Sequence, residues 1–209
     1  MKIVVFGSTG GTGLQVIDQA LARGHEVVAF ARNPAALTQT HPGVQAVTGD
    51  VLDAEAVRRA VAGADAAVSA LGVRLGQPPG TVRSEGTRQI VAALTAAGVQ
   101  RFVSVSTVGV GDSFARLSWA GRLLLPRIIG AERLLEAEKQ EQLIRRSTLD
   151  WTIIRPARLV DAPATGAGQL DTSLRTGLSA KTTRADLAKA LLDQLENRRF
   201  LHACPTLVS

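Results

Sequence analysis

The run Gly7-Ser8-Thr9-Gly10-Gly11-Thr12-Gly13 has the residue types and spacing that hold a phosphate group. Gly7 permits a tight turn, Gly10 lets the backbone approach a diphosphate, and Gly13 lets a helix lie close on the strand before it. The amides that open such a helix attract negative charge. Ser8, Thr9, Gly11 and Thr12 belong to the same turn and are taken with the glycines as binding residues. The spacing G-x-x-G-x-x-G is a variant of the dinucleotide pattern G-x-G-x-x-G, and its specificity comes from context: an apolar strand directly before and a helical pattern directly after. Downstream, Arg32 and Asn33 stand where an acidic residue would be expected to bind ribose hydroxyls. A guanidinium there fits a 2′-phosphate in geometry and charge, which favours NADP(H) over NAD(H); a surface arginine at a strand end is the plainer alternative.

Other chemistry is thinly represented. Cys204 is the single cysteine and has no partner for a disulfide within the chain, and His25, His41 and His202 lack metal-ligand spacing, so no metal site is expected. The net charge of +6 raises the question of nucleic acid. The arginines are scattered, however, and aromatic residues make up only 3%, so a positive rim that draws in a phosphorylated cofactor is the better reading. No long apolar run or leader-like start is seen, and a cytoplasmic protein without signal peptide or membrane span is expected.

The elements that must position these residues alternate. Strands are predicted over 2–6, 26–31, 44–48, 64–70, 101–105 and 151–155, with helices over 14–22, 53–61, 82–97 and 131–146. Such alternation implies an α/β fold: a doubly wound parallel sheet of Rossmann type, three layers αβα, in one domain spanning residues 1–209. Beyond Pro156 a small extension on the substrate side is expected: a loop over 158–168, one or two short strands, a helix over 184–196 capped by Thr183, and a last strand near Phe200. Residues 114–129 mix Phe114, Leu117, Trp119 and Ile128 with Arg116, Arg122 and Arg127. They read as a segment beside the substrate cleft, or as a basic membrane-surface helix whose regular length Pro126 and Gly130 limit.

With these landmarks placed, Gly49-Asp50-Val51-Leu52, Ala70-Leu71-Gly72, Ser84-Glu85-Gly86, Arg145-Arg146-Ser147 and Thr183-Arg184-Ala185-Asp186-Leu187 resemble the atypical short-chain dehydrogenases called NAD(P)H-binding or NmrA-like proteins. Within that family the chain looks most like the biliverdin-IXβ reductase and NADPH-dependent flavin reductase group. The resemblance implies that Asp50 and Val51 contact adenine, that Leu71 and Gly72 pass under the ribose and phosphates, and that Arg74 helps hold the phosphates. It also implies that Ser106, Thr107 and Pro156 line the nicotinamide half. Asp50 has a second reading, as the cap of the helix that follows.

Ordinary members of the wider superfamily use a Tyr-x-x-x-Lys pair, and this chain has no tyrosine. Three residues remain as candidates for the chemistry. Thr107 stands where the flavin reductase group has a serine, and Arg158 where it has a histidine; an arginine there suits a substrate carboxylate or phosphate rather than acid-base work. Lys139 resembles a lysine of the isoflavone-reductase-like branch that faces the nicotinamide, although Glu136, Glu138, Lys139 and Glu141 also fit a solvated helix face with local ion pairs. The function expected is NADPH-dependent hydride transfer to a planar acceptor such as a flavin, quinone or tetrapyrrole, by a monomer or weak homodimer. The alternatives are an NADP(H)-sensing regulator without turnover and, with less support, an extended-type sugar-nucleotide or carbonyl enzyme.

Overall fold

The strands follow from runs of β-branched and small apolar residues whose side chains alternate between the two faces of one sheet. Ile3 and Val5 of β1 (Lys2–Phe6) enter one core cluster, and Val4 and Phe6 enter the other. A computed structural model describes residues 1–34, 37, 43–73 and 77–209. Arg74 therefore lies outside the described residues, as does His41.

After β1 come α1 (Gly11–Ala22), β2 (Glu26–Ala31), β3 (Val44–Thr48), α2 (Ala54–Val61) and β4 (Ala66–Ser69). Next are α3 (Val82–Ala97), β5 (Arg101–Val105), a 3-10 turn (Gly111–Arg116), α4 (Trp119–Ile129), α5 (Ala131–Arg145) and β6 (Asp150–Pro156). The extension contributes β7 (Arg158–Val160), β8 (Gln169–Asp171), β9 (Lys181–Thr183), α6 (Arg184–Asn197) and β10 (Thr206–Val208). The main sheet runs β3-β2-β1-β4-β5-β6-β10-β8, parallel except for β8 at its edge. Helices α1 and α6 cover one face, and α2, α3 and α5 cover the other. This is the expected Rossmann arrangement, with its strand-order reversal between β1 and β4, where such sheets open a ligand crevice at the carboxyl ends of the strands.

Three local expectations are corrected. The stretch from Arg158 is not all loop: residues 158–160 form β7, which pairs in parallel with β9. The last strand is not near Phe200 but at Thr206–Val208, because Phe200 instead closes the end of α6, its amide bonded to the Gln194 side chain. Pro126 does not stop α4, which runs on to Ile129 and ends at Gly130. Helix α4 leaves Trp119, Leu123 and Ile128 exposed, and no helix among the described residues is long and apolar enough to cross a membrane.

Buried charge fastens the upper half of the molecule. Arg155, fully buried in β6, donates from Nε and Nη2 to both oxygens of Glu141 on α5, at 2.8 and 2.7 Å, and from Nη1 to Asp112 at 2.6 Å. One side chain thus ties strand, helix and the 3-10 turn together. Asp186 does similar work in the extension, accepting from the hydroxyls of Thr183 and Thr165 and the amides of Thr165 and Gly166. Burial would raise its pKa, but these hydrogen bonds outweigh burial and hold it at about 2, against the ordinary 3.8.

Truncating Glu141→Ala leaves Arg155 buried without its main counter-charge and is expected to cost about 3–5 kcal/mol in urea unfolding; a loss near zero would show that the pair contributes nothing net. For Asp186 the depressed pKa means stability that is complete above the ordinary carboxylate value and lost as pH falls through the folded one. Asp186→Asn is expected to lower stability by about 2 kcal/mol at pH 7, with the gap from the natural chain closing as pH falls from about 4 toward 2.

Candidate functional site

The glycine turn works through two close approaches. Gly7 has φ +77°, and a Cβ there would stand 2.6 Å from the Ala70 carbonyl oxygen at the end of β4. A Cβ on Gly13 would lie 2.2 Å from the Gly7 oxygen, so α1 can sit this close to β1 only with glycine at 13. Ser8 is buried, and its hydroxyl donates to the Phe30 carbonyl at 2.9 Å, which ties the turn to β2.

The start of α1 is chemically open. Its N-cap is Gly10, which has no side chain to accept from the first-turn amides, and no acidic residue stands in that turn. Every other helix among the described residues has one or the other: Asp53 caps α2, Ser118 caps α4, Thr183 caps α6, and Glu85 and Glu132 lie in the first turns of α3 and α5. Unsatisfied amides at the positive end of a helix are a place for an anion.

From this point a cavity of about 610 Å³ runs across the carboxyl ends of β1 to β4. Its volume falls within the roughly 300–1,000 Å³ of small-molecule sites. Gly7, Thr9 and Gly10 line it at one end, Arg32, Asp50 and Val51 at the other, and Ala70, Leu71, Gly72 and Val73 form a side wall. Asp50 is not the helix cap: its Oδ1 accepts from the Leu52 amide at 3.0 Å, and Asp53 bonds the amides of Glu55 and Ala56. Thr12 and Gly13 are buried at the base of the turn, and Asn33 is exposed beside Arg32.

Beyond β5, Ser106 is buried and its amide donates to the Ile154 carbonyl at 2.8 Å; its hydroxyl has no hydrogen-bond partner among the described residues. Thr107 is half-buried beside it, and Pro156, buried in β6, accepts from the Val108 amide at 3.2 Å. These three residues gather at the carboxyl ends of β5 and β6. Lys139 and Arg158 are not among the residues lining the cavity. Lys139 is half-exposed on α5 and pairs with Glu136 at 2.9 Å, while Arg158 is exposed at the start of β7.

Sequence reasoning missed the residues that hold the cavity's rim. Arg133 of α5 donates from Nη1 to the Val73 carbonyl at 3.1 Å and from Nη2 to the Gln77 carbonyl, which pins both ends of the rim. Arg83 of α3 brings Nη2 within 3.8 Å of where a Gly72 Cβ would be. Burial pulls the Arg83 guanidinium down to about 10, with Glu141 opposing and Arg133 adding to the fall, so it stays charged at neutral pH. Both arginines look like ordinary helix-face cations in sequence. What brings Arg133 to the rim is where folding sets α5 relative to the segment after β4.

Comparison with known proteins agrees with this geometry. The solved structure of ChuY, an anaerobillin reductase from Escherichia coli O157:H7, superposes with a TM-score of 0.84 at 27% identity, over 100% of this chain and 97% of that one. YwnB of Bacillus subtilis, an uncharacterised protein, is 29% identical over 100% of this chain and 99% of its own length. An uncharacterised chloroplastic protein of Arabidopsis thaliana is 31% identical over 79% of this chain, a match that spans only 61% of that protein. The family model described as NAD(P)H-binding matches residues 7–198, from the first glycine of the turn to the end of α6, and the chain belongs to that family, among the atypical short-chain dehydrogenases.

Proposed function

We propose that the protein is an NADPH-dependent oxidoreductase that reduces a planar acceptor of the flavin, quinone or linear-tetrapyrrole kind. The observation that carries this reading is the cavity that joins the uncapped start of α1 to Arg32. When bound, the nicotinamide supplies the hydride. The amides of Gly11, Thr12 and Gly13 hold the diphosphate, and Arg32 with Asn33 takes the 2′-phosphate at the tip of β2. Asp50 and Val51 flank the adenine, and Leu71 and Gly72 border the ribose and phosphates.

Ser106, Thr107 and Pro156 surround the nicotinamide. With no tyrosine in the chain, the acceptor's proton comes from water or through a hydroxyl, and Thr107 is the hydroxyl given to the acceptor in this reading. Lys139, once released from Glu136, orients the ribose, and Arg158 meets an acceptor carboxylate or phosphate. The likeness to ChuY supports a tetrapyrrole among the candidates. One observation favours a second reading, an NADP(H) sensor without turnover: Lys139, one of the two charged candidates for the chemistry, is engaged with Glu136.

Purified protein mixed with NADPH and, in turn, FMN, riboflavin, a quinone and biliverdin is expected to oxidise NADPH with at least one acceptor, followed by absorbance. NADPH binding without oxidation by any acceptor favours the sensor. Arg32→Glu is expected to weaken NADPH binding about 10- to 100-fold and NADH binding far less, since a charge-assisted hydrogen bond is exchanged for repulsion. Equal losses for the two dinucleotides reject the role given to Arg32.

A further inference from the structure

The first residue of α6 reaches the first residue of α1. Gln19, two turns along α1, donates to the Ala185 carbonyl at 2.9 Å and locks the helices side by side. From that anchor Arg184 extends along the flank of α1 to Gly11. A Cβ on Gly11 would lie 2.9 Å from Arg184 Cδ, 3.0 Å from Nε and 3.7 Å from Cζ, so the guanidinium fills the room that a side chain at 11 would need. The neighbouring Gly10 lines the cavity, which puts this cation at the edge of the glycine turn.

The electrostatics of this position are unfavourable in the structure as it stands. Arg184 opens α6 and lies against the opening turn of α1, and a cation is repelled by the positive end of a helix. Its partner is Asp161, at 2.7 Å, a carboxylate whose side chain is 84% exposed. An ion pair in contact with water holds its members weakly. A phosphate group can take two guanidinium bonds where Asp161 takes one, and it would also answer the two helix ends.

We propose that Arg184 is a diphosphate-binding residue: on cofactor binding it leaves Asp161 and takes a phosphate at the start of α1. Asp161 is then a competitor for Arg184. The assignment rests on the dinucleotide reading above, and it concerns a different phosphate from the one given to Arg32.

Calorimetric titration of the full chain with NADPH and with adenosine 2′-monophosphate tests it, because the second probe keeps the phosphate assigned to Arg32 and lacks the diphosphate. Arg184→Met is expected to weaken NADPH binding about tenfold, the weight of one charge-assisted contact, and to leave adenosine 2′-monophosphate binding unchanged. Asp161→Asn is expected to tighten NADPH binding a few-fold, roughly what freeing Arg184 from an exposed pair yields. Unchanged NADPH affinity in Arg184→Met, equal weakening for both probes, or weaker NADPH binding in Asp161→Asn would each overturn the role of Arg184 while leaving the cofactor reading intact. Failure of the natural chain to bind either probe removes that reading, and this assignment with it.

Discussion

The contact between Gly13 and the carbonyl oxygen of Gly7 is the constraint on which the site depends. With no side chain at 13, α1 lies flush on β1 and its first amides point out of the carboxyl edge of the sheet. Any side chain there would push the helix away, and the amide cluster would lose its aim. The same approach brings α1 beside α6 and sets the turn against the end of β4 through Gly7, so the geometry of the cavity follows from one pair of backbone groups. The β-branched strands and the two apolar clusters supply the stability that keeps this approach in place.

Charge in this molecule divides into two kinds. Arg155, Glu141 and Asp186 are enclosed and satisfied, and their bonds run between elements that are distant in sequence. They fix where the segments after β5 and β6 lie, and burial without a partner would be costly for each of them. Arg32 and Arg184 stand instead nearer the surface at helix or strand ends, and Arg83 lies close behind Gly72 of the crevice wall. Together with the open start of α1 they make one edge of the sheet positive, in a chain whose net charge is +6. A field of this sign concentrates a multiply anionic dinucleotide before contact is made.

The central sheet was legible because burial on both faces writes its inner strands as apolar runs, and the edge strand β3 shows as a short β-branched run between turn residues. For β1, β2, β3 and β5 the expected bounds coincide with the observed ones, and so do those of α3 with its left-handed Gly98 cap. The extension was less legible for a physical reason. Strands β7 and β9 are three residues each and exist only because they pair with each other across twenty intervening residues, a long-range fact with no local pattern. Phe200 and Leu201 read as strand from composition, yet Phe200 serves as the stopper of α6 and offers its carbonyl to Thr152. In the site, the glycine turn and the β2 tip were readable from residue type and position. Arg83, Arg133 and Arg184 were not, since what marks them is the absence of a side chain on Gly11, a carbonyl on a rim that folding brings near, or a position behind Gly72 that only the fold creates. A glycine beyond the number the turn requires, such as Gly11, was the one available hint that another side chain uses that space.

The claim underneath all of this is that the bare amides at the start of α1 receive a diphosphate, and amide-resolved NMR during titration with NADPH observes those groups themselves. The account expects large, saturable shifts at Gly11, Thr12 and Gly13, with those at the Asp53-capped start of α2 far smaller. Absence of any saturable shift at Gly11, Thr12 and Gly13, while the protein remains folded, would contradict it.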